Sequence, residues 1–235
     1  MNETKHSDPR VLVALDFPEA SAVMSFVDRV TPDLCRLKVG KELFTAAGPQ
    51  LVENLAKRGF DVFLDLKFHD IPNTVANAVT SATGLGVFMM TVHTIGGREM
   101  MEAAVKAAQI KAKLMNIPRP FIVGVTVLTS AVREEATQSN VLERAKLAKL
   151  SGLDGVVASV EETAVLRQAL GYDVIIVTPG IRPSGTDKGD QKRVATPAEA
   201  VRNGSSFLVV GRPVVTAKDP QAAAQGILNE IREAK

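Results

Sequence analysis

The stretch "VLVALDFPEA" (Val11–Ala20) decides between two folds. Its five apolar residues show no alternation, as expected of a strand covered on both faces in a parallel sheet. The run ends at Asp16, and a turn through Pro18 follows. A doubly wound open sheet usually carries a Gly-rich first turn, but no G-x-G follows this strand. Seven more runs of the same kind recur along the chain: "CRLKV" (35–39), "DVFLDL" (61–66), "VFMMTV" (87–92), "FIVGVTV" (121–127), "DGVVAS" (154–159), "DVIIV" (173–177) and "FLVVG" (207–211). Segments of helical period lie between them. Phe44, Leu51, Val52 and Leu55 fall on one face of a helix ending near Gly59, and Ala223, Ala224, Ile227, Leu228 and Ile231 on one face of the last. That last helix has Asp219 as its expected N-cap and Pro220 at its first position. Eight strands, each followed by a helix, predict an α/β fold of the (β/α)8 barrel type, since open sheets more often hold about five to seven strands.

The bulk properties agree with a single barrel. The chain has 235 residues, 46% of them hydrophobic, enough to bury a large core without cross-links. No change in composition marks a second domain, so residues 1–235 are expected to form one domain. It would have a polar tail at 1–10 and a long loop at 180–197. A net charge of +2, with no Lys/Arg cluster, argues against a nucleic-acid partner. One Tyr and no Trp argue against stacking platforms for single strands. The lone Cys35 suits a reducing compartment, and no run approaches the roughly 20 apolar residues of a membrane span. With a polar N-terminus, the expectation is a cytoplasmic protein with no membrane partner.

In such barrels the active site lies at the carboxyl ends of the strands. Asp16 ends the first strand, and Lys38 lies in the second just before Gly40. The third ends in "FLDLKFHDIPNT" (63–74), which sets Asp65, Lys67 and Asp70 within six residues. Asp65 and Lys67 are two apart, so on a regular strand they share a face. Two cations and two anions thus gather in one small space, a costly burial unless each is paired. A structural ion network is the plain alternative, but such clusters at a barrel mouth more often mark function. Thr126, Thr129 and Ser130 follow the fifth strand. "TPGIRP" and "GRP" follow the seventh and eighth, offering Arg182, Arg212 and the backbone around Gly211 to a phosphate. The loop "GIRPSGTDKGDQKRVATP" (180–197) exceeds the usual four to six residues or so and reads as a lid, with Gln191 as a polar contact.

His69 and His93, with His6 in the tail, make a poor metal-ligand set. Asp65 and Asp70 would suit Mg²⁺, but Lys67 between them already supplies positive charge, so no metal is expected. Neither a Ser-His-Asp arrangement in a nucleophile turn nor a P-loop is present.

The segment "DLKFHDIPNT" (65–74) resembles the D-x-K-x-x-D signature of the orotidine 5'-phosphate decarboxylase family. "ALD" (14–16), "LKVGKELF" (37–44), "VTVLTS" (125–130), "VTPGIRP" (177–183) and "VVGRPV" (209–214) resemble further family segments in the same order. The resemblance runs over about residues 11 to 230. Related Mg²⁺-dependent sugar-phosphate decarboxylases and lyases share the short signature, whereas "HDIPNT" and "TPGIRP" favour the orotidylate enzymes. The resemblance implies cofactor-free decarboxylation of orotidine 5'-monophosphate to UMP in pyrimidine biosynthesis. It implies Lys67 as proton donor, flanked by Asp65 and Asp70, with Lys38 completing the charged chain. Asp16 and Lys38 would bind the ribose, and Thr129 and Ser130 would lie at the pyrimidine. Gln191, Gly211 and Arg212 would hold the phosphate, with Arg182 at the base of the lid. It also implies a homodimer in which Asp70, Ile71 and Thr74 enter the partner's site.

Overall fold

A computed structural model describes residues 9–128, 137–184 and 194–234. Eight parallel strands close into a barrel in sequence order: β1 Val11–Ala14, β2 Arg36–Gly40, β3 Val62–Phe68, β4 Met89–His93, β5 Phe121–Val125, β6 Gly155–Val157, β7 Ile175–Thr178 and β8 Phe207–Val210. β1 pairs with β2 on one side and β8 on the other, so no edge is left open. Helices cover the outside: α1 Ala20–Val27, α2 Lys41–Lys57, α3 Pro72–Gly84, α4 Gly97–Met115, α5 Gln138–Leu150, α6 Val160–Leu170, α7 Pro197–Arg202, α8 Arg212–Val215 and α9 Pro220–Glu233. The barrel read from the apolar runs is therefore the observed fold. No described helix is long and apolar enough to cross a membrane.

Both faces of the strands are buried, which is why the runs lack alternation. Outward residues such as Val13, Leu37, Leu64 and Val92 pack beneath the helices. Inward residues Leu12, Phe63, Met89, Val123 and Val177 fill the barrel. Gly155 lets β6 and β7 approach closely, since a Cβ there would come within 2.1 Å of the Ile175 carbonyl oxygen. The amino end of the barrel is plugged. The buried Arg36 guanidinium lies 4.3 Å from the Phe88 ring centre and 5.2 Å from that of Phe207. It also donates to Asp61 at 2.9 Å and to the Pro9 carbonyl. Arg10 donates to the carbonyls of Ser205 and Ser206, so the chain is anchored from Pro9 onward.

The helix reading holds with one change. In α9, Asp219 accepts the Ala222 N–H at 3.0 Å, and Ala224, Ile227, Leu228 and Ile231 are buried. In α2 the backbone breaks at Gly48, where φ is +67°, and Pro49 starts a second helical segment. The break resets the helical phase. Leu43 is buried and Phe44 only partly so, while Leu51, Val52 and Leu55 face the core.

Candidate active site

The carboxyl ends of the strands open into a cavity of about 520 Å³. One wall carries Asp16, Lys38, Asp65 and Lys67 from β1 to β3. Arg182, Gly211 and Arg212, after β7 and β8, also line it, with Gly211 beside Asp16. Val125, Val157, Val177 and Val209 supply an apolar surface between them.

The charged wall is a chain of alternating sign. Lys67 Nζ donates to both carboxylate oxygens of Asp65, each at 2.9 Å. Asp65 Oδ2 lies 3.8 Å from Lys38 Nζ, which reaches Asp16 Oδ1 at 3.5 Å. The middle of the chain is the most buried: the Asp65 side chain is 16% exposed and that of Lys38 11%, against 67% for Asp16. Asp65 is thus held between two ammonium groups, the pairing that burial of a carboxylate requires. Gly40 keeps room for Lys38, since a Cβ there would come within 3.3 Å of its Nζ.

Asp65 and Lys67 meet, but not by the regular two-residue alternation expected from sequence. The β3–β4 register steps from Leu64 opposite Met90 to Phe68 opposite Val92, so β3 spends four residues where β4 spends two. Inside this bulge Lys67 has φ of +53°. A left-handed conformation in a residue other than Gly costs on the order of 1–3 kcal/mol and concentrates at functional sites. Lys67 N–H donates to Thr91 Oγ1 at 2.8 Å, and Thr91 Oγ1 donates to Asp65 Oδ1 at 3.1 Å. Neither Thr91 nor Gly40 had been singled out from the sequence. Thr91 was visible as the one hydroxyl inside the apolar run of β4.

Asp70 lies apart from the cavity within its own chain. Its carboxylate accepts the Ile71 N–H at 2.7 Å at the start of α3 and forms no ion pair among the described residues. Ile71 is 66% exposed, and Thr74 is exposed one turn on. Arg182 is buried and donates to the Ile181 carbonyl at 2.9 Å. Its backbone N–H bonds the Ala195 carbonyl at 2.9 Å, which stitches together the two stems of the 180–197 loop. Arg212 is exposed at the head of α8. Thr129, Ser130 and Gln191 lie outside the described residues. Thr126, noted with them from sequence, turns instead to the Val157 carbonyl at 2.9 Å, a bond between strands.

His93 closes β4 with its ring 5.7 Å from that of His69, and its Nδ1 is buried with no hydrogen-bond partner among the described residues. Burial, then the cationic neighbours His69, Arg144, Lys67 and Lys41, push its pKa from 6.5 down to about 4. The folded protein thus resists protonating His93, while the unfolded chain takes up the proton near 6.5. The stability this provides is complete above pH 6.5 and lost as pH falls towards 4. Melting midpoints measured across that range should fall with pH, and His93→Gln should flatten the fall.

The sequence pattern described as the orotidine 5'-phosphate decarboxylase / HUMPS family matches residues 9–227. A protein of Hydrogenovibrio crunogenus named orotidine 5'-phosphate decarboxylase is 53% identical over 239 residues, covering 98% of each chain. One of the same name from Moorella thermoacetica is 49% identical, over 98% of this chain and 95% of its own. The crystal structure of orotidine 5'-phosphate decarboxylase from Lactobacillus acidophilus superposes with a TM-score of 0.85 at 38% identity, over 95% of this chain and 99% of the other. With a match that runs from just before β1 into α9, over the whole charged wall of the cavity, this chain belongs to the orotidine 5'-phosphate decarboxylase / HUMPS family.

Proposed function

We propose that the protein decarboxylates orotidine 5'-monophosphate to UMP and CO2 without a cofactor, with Lys67 as the proton donor. The observation that carries this reading is the Lys67 ammonium, held at 2.9 Å by both oxygens of Asp65 beside Lys38 inside the cavity. When the C6–carboxylate bond breaks, its electron pair stays on C6 in the plane of the ring, where the π system cannot spread it. A fixed ammonium stabilises that charge as it develops and then transfers a proton to C6. Neutral Lys67 regains its proton from solvent. Asp65 keeps Lys67 aimed.

The remaining roles follow the cavity. Asp16 and Lys38 take the ribose hydroxyls, and the valine wall and the segment with Thr129 and Ser130 take the base. Arg212, Gly211, Arg182 and Gln191 take the phosphate under the 180–197 loop acting as a lid. Binding at the phosphate end can drive closure and so raise the rate at the distant C6. Asp70, Ile71 and Thr74 act on the cavity of a second copy in a homodimer. Supporting this, none of the three lines the cavity of its own chain, all three are exposed, and Ile110 and Leu114 of α4 line an apolar groove with Ala76 and Thr80 of α3. The expected setting is the cytoplasm, in de novo pyrimidine synthesis.

The test is direct. Orotidine 5'-monophosphate is mixed with the protein and the orotate absorbance followed, with and without EDTA. Loss of absorbance in both arms is expected. An unchanged spectrum would overturn the reading, and turnover abolished by EDTA would turn it towards a metal-dependent lyase.

Arg212→Ala should weaken UMP binding by about 10- to 100-fold, because hydrogen bonds to charged groups are worth roughly 1.5–3 kcal/mol each. Uridine, which lacks the phosphate, should bind the variant as it binds the parent. Calorimetry with the two ligands checks this, and equal losses for both would place Arg212 away from the phosphate.

A further inference from the structure

We propose that Thr91 is the positioning residue for Lys67, holding the proton donor in its left-handed backbone conformation and joining it to Asp65. The proposal deepens the decarboxylase reading and rests on it for its kinetic consequences.

The geometry forms a closed ring. Lys67 N–H donates to Thr91 Oγ1 at 2.8 Å. The same hydroxyl donates to Asp65 Oδ1 at 3.1 Å, and Asp65 accepts from Lys67 Nζ at 2.9 Å. The backbone of Lys67 and the end of its own side chain are thus tied through one hydroxyl and one carboxylate. A threonine hydroxyl has one proton to give and lone pairs to receive. Here the proton goes to Asp65 and a lone pair takes the amide, so each bond fixes the direction of the other.

The bulge explains why a side chain is needed. Between Leu64 and Phe68 the β3–β4 register is interrupted. The Lys67 amide therefore bonds a side chain where a regular ladder would offer a carbonyl. A part-buried amide left without its acceptor would favour a different backbone path, and the φ of +53° would relax. Thr91 is fully buried and does not line the cavity. It acts through Lys67 and Asp65 rather than on the substrate. Its branched Cβ also restricts χ1, so the hydroxyl has few other places to point.

The test separates hydroxyl from shape. Thr91→Val keeps the volume and removes both bonds, Thr91→Ser keeps the hydroxyl, and Thr91→Ala removes hydroxyl and methyl together. A misplacement near 1 Å costs about 10²-fold in rate, so kcat of Thr91→Val should fall by roughly that factor. UMP affinity and KM should stay within about threefold, because the loss falls on the transition state. Thr91→Ser should stay within about fivefold of the parent in kcat and at least ~10-fold above Thr91→Ala. A Thr91→Val kcat within about threefold of the parent, or equal losses in kcat and UMP affinity, would overturn the proposal. Failure of both hydroxyl-free variants to fold would assign Thr91 to stability and overturn it as well.

A second measurement needs no turnover. Hydrogen exchange at the Lys67 amide should be slow in the parent and in Thr91→Ser, and at least ~10-fold faster in Thr91→Val with the rest of the barrel unchanged. Unchanged exchange would break the ring. If the parent binds UMP but leaves orotidine 5'-monophosphate intact, the decarboxylase reading fails while this measurement still decides the Thr91 contact.

Discussion

Lys67→Ala is expected to lower kcat by at least about 10⁴-fold while UMP binding stays within several-fold of the parent. General acid catalysis contributes ~10²–10⁴, and a preorganised charge at the reacting atom ~10²–10³. The ammonium supplies both and acts on charge absent from the ground state, so its loss belongs in kcat. Asp65 keeps Lys38 at 3.8 Å in the variant, so the carboxylate is not stranded. Single-turnover rates, with UMP calorimetry and a melting curve on the same preparation, check the three parts. A kcat near that of the parent would remove Lys67 from the mechanism.

The second large effect concerns the partner. Asp70→Ala should itself be close to inactive, with a loss of ~10² or more if its carboxylate completes the charged chain around Lys67. Mixed with the Lys67→Ala chain, it should regain activity. Random exchange makes about half of the dimers mixed, and each mixed dimer has one site with both lesions and one site whole. Roughly a quarter of the parent's sites should therefore return, given independent pairing. The motive is geometric: Asp70 is exposed, accepts the Ile71 N–H and does not line the cavity of its own chain, where Lys67 pairs with Asp65. If subunit exchange is demonstrated and no activity appears, Asp70 serves its own chain.

The strands were legible because burial on both faces leaves uninterrupted apolar runs, a local signal. β1 through β8 each begin within two residues of the expected position. Asp219 and Pro220 marked the start of α9 for the same reason, since a cap is written in adjacent residues. The break in α2 was also local, in Gly48 and Pro49, but a single helical period drawn across them concealed it. The bulge in β3 was not legible. Its register depends on which β4 residues lie opposite, and "VFLDLKF" read alone fits a regular strand equally well. Thr91 stayed hidden behind it, because its value comes from an amide that only the bulge sends its way. The role proposed for Asp70 involves a second chain, which periodicity within one chain does not describe.

Arg36, wedged among Phe88, Phe207 and Asp61, gives the barrel a floor. Above it Leu12, Phe63, Met89, Val123 and Val177 form one buried cluster. Among the described residues the cavity opens at the carboxyl ends of the strands. In the proposed reaction, CO2 freed beside Lys67 would leave through the opening by which the nucleotide came in, past a ribose and phosphate still in place. Traffic in both directions would share the carboxyl end of the barrel, so whatever narrows that end would slow departure as much as arrival.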